Sequence, residues 1–462
     1  MDQNGTVDEL INSSSTFPFF PIIDWSALMI IKKRVYRTIS INAVNLKKLH
    51  QACLEQNLCV GIDVAKEVPF ACIMTQSGEI LLLLKFQHPT ETRRFVQMLA
   101  DLPASQLVCA LESTGTYGDA LRYLLLQAGI PVYLVSAHKA EKMAEVYDGV
   151  PSQHDAKCAA IIAKLHHDGI STLWCIDDQE CRELKALFAQ YDWYNKQLSR
   201  NINKLEALLA RHWPELPQQL KLDSPTLLEL LISFGNPEAV TRQSHKAKKL
   251  MRRVGKNFLL QEKIDAILES ASTTVGLPVL ETESNWIRML ASDTRRLQKE
   301  QKLVLKQLKQ TAQHIEPITQ MAPAVGDVTA TIIYLKMGPA SLYDSPKSYL
   351  KAMGLNLAII QSGTSKLGQL HISKRGDSTV RKYLYFATMR WIQNDCWANA
   401  WYLKKVQRDG GKLKMKALIA LMRKLVQGLW HVGQGNTFDS SKLFDLSKLS
   451  SKLVETQAQA SC

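Results

Sequence analysis

The sequence predicts an α/β domain near the N-terminus, a middle region of long helices and a mostly α-helical C-terminal region. Short apolar runs alternate with amphipathic segments between residues 57 and 176, as they do in α/β domains. The stretches 178–213 and 285–314 carry apolar residues three, four or seven positions apart, which is typical of long paired helices. Beyond residue 317, short helical patterns alternate with turns. A chain of 462 residues is long enough to form two or three domains.

The α/β domain is predicted from the order of its elements. LCVGIDV, PFACIMT and EILLLLKF have the composition of three successive strands, and a helix through ETRRFVQMLADL follows them. The strand QLVCALES, a helix from about Gly118 to Ala128, the strand PVYLVSA and helices from His138 and Asp155 complete the series. This order is typical of a ribonuclease-H-like domain, although hydrophobic periodicity alone does not exclude another α/β arrangement.

The rest of the chain is predicted from weaker patterns. The two long helices can pair within the chain or form a dimer interface, and a small helical insert is expected between them. The segment MAPAVGDVTATIIYLKMG resembles half of a helix-hairpin-helix, which presents a helix N-terminus to DNA phosphates; a plain helix start explains it equally well. The expected divisions are an N-terminal extension (1–56), a catalytic α/β domain (57–176), a coiled-coil-like helical region with its insert (177–316), a C-terminal domain (317–435) and a flexible tail (436–462).

Basic charge is concentrated in the C-terminal part of the chain. The formal net charge is +14, and residues 366–428 contain fourteen Lys and Arg against three Asp and no Glu. Solvated lysines scattered over a surface would not leave so long a stretch nearly free of acids. We therefore expect this region to bind a polyanion, and nucleic acid in particular.

The cysteines and the N-terminal segment predict a cytoplasmic protein without a membrane contact. Nine cysteines occur without a CxxC pair or a zinc-ligand spacing. Cys59, Cys72 and Cys109 lie in apolar strand-like runs, where we expect small core residues in a reducing compartment. Two prolines and Asp24 interrupt the apolar segment FPFFPIIDWSALMII, which therefore predicts neither a signal peptide nor a spanning helix.

Three carboxylates are the candidate metal ligands. Asp63 and Glu112 each end an apolar strand-like run, where a carboxylate is costly unless a cation compensates it. Asp155 opens an apolar-periodic helix. Carboxylates that converge on one edge of a sheet can hold Mg²⁺, and metal beside phosphate is the chemistry of nucleases and recombinases. Taken singly, each also fits a structural role: Asp63 before a turn, and Asp155 as a helix N-cap.

A serine among cations is the candidate nucleophile. Ser362 begins the polar segment SGTS after an apolar run. A serine oxygen on an exposed turn can attack a phosphodiester while basic groups hold the phosphate. Phosphate binding without chemistry is the simpler interpretation, because serines beside lysines are common. The candidate nucleic-acid-binding residues around it are Lys366, His371, Lys374, Arg375, Arg381 and Lys382.

Several motifs together resemble those of the DEDD-type insertion-sequence transposases. The matching elements are GIDVAKE, ESTGTYG, HDAK with its helix, the (P)AVG hairpin, and SG followed by HISKRGD and RKYL. They occur in the family's order over roughly residues 57–435. The family includes the Piv-like DNA invertases and the bridge-RNA-guided recombinases.

The resemblance implies an activity and a set of partners. A RuvC-like domain would bind magnesium through Asp63, Glu112 and Asp155, and a C-terminal transposase domain would supply Ser362 to form a covalent phosphoserine link to DNA. The resemblance further implies a homo-oligomer, with dimers joined into tetramers through the long helices. It also implies a structured guide RNA that pairs with DNA, and a nucleoid-associated location in the bacterial cytoplasm.

The sequence departs from the family pattern at one acidic position. The family's third acidic residue precedes the last by three positions, and here that position is Ser152. A serine hydroxyl contributes no charge, so affinity for Mg²⁺ is expected to fall. Two alternatives to a serine recombinase therefore remain open: a metal-dependent nuclease that uses water as the nucleophile, and a nucleic-acid-binding relative that has lost catalysis.

Overall fold

The computed structural model describes residues 36–113, 115–149, 154–358, 361–362, 365–366, 371–408 and 410–449. The chain forms two units: the first ends at Ile176 and the second begins at Asp177.

A mixed β-sheet lies at the centre of the first unit. In the described residues its spatial order is β1-β4-β3-β2-β5-β6-β7. Strands β2, β5 and β6 are parallel to one another, β3 is antiparallel to both β2 and β4, and β7 is antiparallel to β6. The strands are β1 (Ile39–Ser40), β2 (Asn57–Asp63), β3 (Phe70–Thr75), β4 (Ile80–Lys85), β5 (Gln106–Glu112), β6 (Val132–Val135) and β7 (Thr172–Trp174). The prediction of an N-terminal α/β domain is confirmed, and its element order is compatible with a ribonuclease-H-like fold.

Helices cover both faces of this sheet. They are α1 (Leu46–Cys53), α2 (Thr92–Ala100), α3 (Asp119–Gln127), α4 (Ala137–Asp148) and α5 (Asp155–His167). Because strand side chains alternate between faces, Val60 and Ile62 enter the core that contains Phe95 and Leu125, whereas Cys59 enters the core that contains Ala159 of α5. The predicted core cysteines, Cys59, Cys72 and Cys109, are all buried.

The segment before β2 is part of this unit. We predicted residues 1–56 as an extension, but β1 pairs in parallel with β4, and α1 follows it. Ile41, Leu49 and Cys53 are buried in the same core as the sheet residues. The prediction failed here because a two-residue strand and an eight-residue helix give too little periodicity to be recognised.

Two long helices organise the first half of the second unit. Helix α6 (Gln179–His212) packs beside a 32-residue partner, with Gln301 Nε2 donating a hydrogen bond to Asn195 Oδ1 at 2.7 Å. Between them lies a helical insert, whose core is shared with buried residues of both long helices. The two ends of the insert lie close together, because the Leu277 N–H donates a hydrogen bond to the carbonyl of Arg211 at 2.9 Å. The helices that follow α6 are α7 (Leu216–Gln219), α8 (Pro225–Phe234), α9 (Pro237–Arg242), α10 (Ser244–Gly255), α11 (Gln261–Thr273) and the long α12 (Glu281–Ala312).

The C-terminal part is mainly helical. Its helices are α13 (Glu316–Val325), α14 (Asp327–Met337), α15 (Pro346–Ala352), α16 (Ser378–Asn394), α17 (Cys396–Arg408) and α18 (Lys414–Val432). Between α15 and α16, the described residues form four two-residue strands: β8 (Leu357–Ala358), β9 (Gln361–Ser362), β10 (Ser365–Lys366) and β11 (His371–Ile372). Helices α13 and α14 meet at Gly326, whose φ of +81° favours glycine.

The predicted flexible tail, 436–462, is wrong for its described portion. Phe444 is buried against Trp391 with ring centroids 5.7 Å apart, and Phe438 contacts the other side of that indole. The apolar residues are sparse among Ser and Lys in this segment, which is why composition alone predicted a tail. No helix in the described part of the chain combines the length and apolarity needed to cross a membrane.

Gly61 sets how closely α5 approaches the sheet. A Cβ atom at this position would overlap the carbonyl oxygen of Ala159 and lie 2.5 Å from the backbone nitrogen of Ala163. Both residues belong to α5, so the backbones of strand and helix are in direct contact here. Only glycine leaves room for that contact.

We therefore expect Gly61→Ala to push α5 away from β2. The overpacking should lower the free energy of unfolding by about 1–3 kcal/mol or more, measured by chemical denaturation followed by circular dichroism. Gly78→Asn is the matched control, because a Cβ there meets nothing within 4 Å and asparagine tolerates a positive φ. Equal stability of Gly61→Ala and the wild type would contradict this account.

Candidate functional site

Asp63 and Glu112 end two neighbouring parallel strands. The register between β2 and β5 pairs Ile62 with Leu111, so the next residues along the two strands, Asp63 and Glu112, lie side by side. Strand alternation puts Asp63 on the same face as Gly61, and Glu112 on the same face as Ala110. This is the face that α5 covers, and Ala110 is buried in its core.

Asp155 joins this edge through the position of α5. Gly61 contacts Ala159. Two strand residues advance about 6.6 Å, and four helix residues span about 6 Å, so Asp63 and Asp155 reach the same level along the interface. One interpretation of the sequence made Asp155 the N-cap of α5, but the structure does not place it there. His154 takes that role, with its Nδ1 accepting from the backbone N–H of Lys157 at 3.2 Å, and the Asp155 carboxylate is not needed for capping.

The electrostatics of Asp63 show that the three carboxylates interact. Burial, followed by the negative charges of Glu112 and Asp155, raises the pKa of Asp63 from 3.8 to about 7. The pKa of Cys158, on the first turn of α5, is raised to about 11 by burial and then by Asp63, Asp155 and Glu112. The three carboxylates therefore lie close enough to interact, and their role as a metal site stays a prediction.

A buried arginine supports the segment after Glu112. Arg122 is 7% exposed, forms an ion pair with Asp119 at 3.1 Å and donates a hydrogen bond from Nη2 to the carbonyl of Gly115 at 3.4 Å. Gly115 has a φ of +54°, a backbone conformation that favours glycine. Arg122 thus ties α3 to the turn that follows Glu112.

Two residues of this site were missed in the sequence. Gly61 permits the close approach of α5. The sequence feature that could have indicated this role is the position of Gly61 two residues before Asp63. Lys157 is 1% exposed, and its charge lowers the pKa of Cys158, which places an ammonium group beside the acidic cluster. A lysine near a helix start has no sequence feature that predicts burial.

The chemistry of the cluster suits a hard divalent cation. Carboxylate oxygens are the preferred ligands of Mg²⁺, and a cation would relieve the repulsion that raises the pKa of Asp63. Within the described residues, no three His, Cys, Asp or Glu side chains already form a metal-binding group. The side chains would therefore have to turn toward one another to share a cation. The doubtful fourth acidic position, Ser152, lies outside the described residues.

The backbone of Ser362 lies in a short hairpin. Strands β9 and β10 are antiparallel, and Ser362 is paired with Ser365. Strands β8 and β11 pair next to them along the chain, with Ala358 opposite His371. The candidate residue Lys366 ends β10; the side chains of Ser362 and Lys366 lie outside what the structure describes.

A loop held by glycines presents Lys374 and Arg375 to solvent. A Cβ on Gly376 would lie 2.5 Å from the carbonyl oxygen of Ala352 and 2.7 Å from the nitrogen of Gly354, so two backbones pack directly together. Lys374 has a φ of +55°, and its N–H donates to the Gly354 carbonyl at 3.0 Å. Both cations of the loop are exposed.

The other predicted cations differ in what their side chains do. Arg381 donates from Nη1 to the carbonyls of Gly376 at 2.7 Å and Met353 at 3.4 Å, and so braces the loop. Lys382 is exposed, with its ammonium 5.6 Å from the centre of the Tyr383 ring. His371 is exposed at the end of its strand. The sequence could not separate a bracing arginine from one that faces solvent, because both lie in the same basic run.

Comparisons with known proteins match both parts of the chain that carry these residues. A family model for DEDD transposases of the IS110 type, described as a transposase, matches residues 60–214. A second model, described as the transposase IS116/IS110/IS902 family, matches residues 317–403. The chain belongs to the IS110 family of transposases.

A curated relative extends the similarity over most of the chain. The transposase is 23% identical over 393 residues to the insertion element IS110 uncharacterized 43.6 kDa protein of Streptomyces coelicolor, covering 83% of this chain and 96% of the relative. The expected resemblance is thereby confirmed. Membership of the family means that the transposase binds DNA and cuts and rejoins it, and DEDD transposases typically use divalent metal ions.

The raised pKa of Asp63 predicts how stability depends on pH in metal-free protein. The unfolded state loses the Asp63 proton near pH 4, whereas the folded state holds it to about pH 7, so stability is lost as pH rises through this window. Asp63→Asn removes this loss. In EDTA, the variant should gain thermal stability relative to wild type progressively from pH 5 to pH 8. Parallel curves for the two proteins would contradict the raised pKa; exposed Asp101→Asn is the control.

The two arginines of the basic loop should respond differently to truncation. Arg381→Ala removes two hydrogen bonds to backbone carbonyls and should lower the free energy of unfolding by about 1–3 kcal/mol. Arg375→Ala, at an exposed position, should leave unfolding unchanged and weaken duplex DNA binding, measured by fluorescence anisotropy. If Arg375→Ala destabilises the fold as much as Arg381→Ala does, the distinction between the two roles is wrong.

Proposed function

We propose that this transposase opens and rejoins DNA through a covalent phosphoserine at Ser362, assisted by a divalent cation, Mg²⁺, at Asp63, Glu112 and Asp155. The observation that carries the proposal is the juxtaposition of these three carboxylates at one sheet edge, where burial and mutual repulsion raise the pKa of Asp63 to about 7. Carboxylates held together at such a cost are typical of functional sites.

Each carboxylate has a defined part in this proposal. Asp63 and Glu112 supply oxygens from adjacent strand ends, and Asp155 supplies them from the first turn of α5. A bound divalent cation would stabilise the negative charge that develops on the phosphate oxygens. With Ser152 at the family's third acidic position, three carboxylates hold the cation, and we expect weaker binding than a fourth carboxylate would give.

The proposed serine step conserves the energy of the DNA linkage. The Ser362 hydroxyl oxygen forms a bond to phosphorus as the bond from phosphorus to one deoxyribose oxygen breaks. The hydroxyl loses its proton, and the departing deoxyribose oxygen takes one up. Because one phosphodiester replaces another, a second DNA end can reverse the step and rejoin the strand. In this proposal the reaction requires both the Ser362 hydroxyl and the cation held by the acidic residues.

The basic residues hold DNA in this proposal. Lys374 and Arg375 lie exposed on a glycine-packed loop shortly after the serine hairpin, and Lys382 follows one turn into α16. Lys366 and His371 flank the same segment of sequence. Arg381 positions the loop rather than contacting phosphate. Contacts of this kind fix the DNA backbone without reading its sequence.

Two partners are proposed from the family resemblance. A structured guide RNA would select the DNA sequence, since backbone contacts by themselves are not sequence-specific. A homo-oligomer would form through the long helices. Exposed apolar side chains on α6 and α12, Trp193, Met289 and Leu303, support that part of the proposal.

The test is whether DNA becomes covalently attached to Ser362. Purified protein is incubated with RNA transcribed from the element, end-labelled element-end DNA and Mg²⁺, then denatured and run on a gel. Wild type should form a protein–DNA adduct, and Ser362→Ala should form none. Ser365→Ala is the matched control, because this serine is paired with Ser362 across the same hairpin. It should retain the adduct.

Outcomes that contradict the proposal are specific to its two parts. DNA cutting that continues in Ser362→Ala would favour a nuclease that uses water. Strand exchange that survives Asp63→Ala in magnesium would reject the metal site, with exposed Asp101→Asn as the control for lost negative charge.

A further inference from the structure

The helical insert carries a basic helix outside both regions matched by the family models. Residues 239–261 contain seven Lys and Arg and no Asp or Glu, and most of them belong to α10. The family models match 60–214 and 317–403, so neither of them assigns a role to this helix.

The apolar face of α10 packs into the insert. Ala247, Met251 and Gly255 follow one another at four-residue steps and are buried in the insert core. Burial of this face fixes which side of the helix is exposed to solvent. Packing of the core thus determines which residues of α10 face solvent.

The solvent face of α10 is a row of cations. Lys246, Lys249 and Arg253 follow at steps of three and four residues, which places them along one side of the helix. Arg242 ends α9 just before this row, and Lys256 follows directly after it. All five side chains are exposed. We call these five residues the α10 stripe.

The charges of the α10 stripe are not neutralised by the protein. The nearby acid Asp265 pairs with Lys248 at 2.9 Å, and Gln261 receives hydrogen bonds from Arg252. The two cations in these contacts, Lys248 and Arg252, are not members of the stripe. Lys246 donates only to the neutral side chain of Gln243. Among the residues that the structure describes, no carboxylate forms an ion pair with any member of the stripe.

Five unpaired cations close together repel one another and destabilise the compact state unless an anion binds. Helix α10 is about 18 Å long, which matches several phosphate spacings along a DNA strand. No Phe, Tyr or Trp lies within α10 itself; the exposed Phe258 follows the last cation of the stripe, so no series of rings alternates with the cations as a platform for successive unpaired bases. These features favour a duplex backbone over single-stranded nucleic acid.

We propose that the α10 stripe binds the phosphate backbone of duplex DNA, independently of sequence and away from the reacting serine. The inference rests on the proposed function, because it assigns a further part of the DNA contact to this transposase. Its role is to hold flanking DNA while the C-terminal basic loop holds the phosphate that reacts.

The experiment measures equilibrium binding of full-length protein to a labelled random-sequence 40-bp DNA duplex over a range of salt concentrations. The test variant is Lys246→Gln/Lys249→Gln/Arg253→Gln, and all proteins carry Ser362→Ala so that chemistry cannot contribute. We expect duplex binding about 10- to 100-fold weaker at low salt, and a slope of log affinity against log salt reduced by about 2–3.

Two matched controls isolate the position and sign of the charge. Lys47→Gln/Lys48→Gln/Lys85→Gln removes the same charge from exposed positions outside the insert and should bind nearly as the parent does. Lys246→Arg/Lys249→Arg/Arg253→Lys keeps the charge and should retain the affinity. Circular dichroism and thermal unfolding should match the parent for all three, because the changed side chains face solvent.

Three outcomes would overturn the inference. The first is equal affinity of the test and control triple variants for duplex DNA. The second is a loss of affinity confined to single-stranded DNA or to an RNA hairpin. A comparable loss from truncating the highly exposed Phe258 would instead indicate stacking on unpaired bases. Because binding is measured without chemistry, absence of a Ser362 adduct would refute the proposed function and leave this result standing.

Discussion

The contact between Gly61 of β2 and Ala159 of α5 is the constraint on which the candidate site depends. It brings strand and helix backbones together, and it fixes the helix along the strand. Asp155 consequently reaches the level of Asp63 and Glu112. The repulsion among these three carboxylates destabilises the folded state. Buried apolar residues on both faces of the sheet offset this destabilisation.

The sequence predicted the α/β domain because its strands leave a strong local signal, and the same signal led us to propose the acidic site. Apolar runs ending in Asp63 and Glu112 indicate strands whose ends carry charge, and parallel pairing brings such ends together. It did not predict β1, α1 or the burial of Phe444. Each involves only a few apolar residues, which are buried against residues far away in the sequence. The bracing role of Arg381 was hidden for a related reason: its hydrogen bonds go to backbone carbonyls, which have no sequence signature.

The basic loop and the acidic cluster show two ways of holding charge. At the cluster, like charges are forced together by burial, and the pKa of Asp63 rises. At the loop, Gly354 and Gly376 pack backbone against backbone, and Arg381 ties the carbonyls on either side, so exposed cations are carried on a rigid support. A rigid support lowers the entropy lost when an anion binds, because the loop has little freedom left to lose.

The insert between the long helices enters and leaves at a single point, where the Leu277 N–H meets the Arg211 carbonyl. Its core includes Leu205, Leu208 and Leu209 of α6 and Ile287, Leu290 and Ala291 of α12, so the insert packs on the long helices as well as on itself. A change to its buried face would therefore disturb the pairing of α6 with α12, whereas its exposed side chains are under no such constraint. Relatives with the same paired helices are free to diverge in the surface charge of the insert while its interior stays fixed.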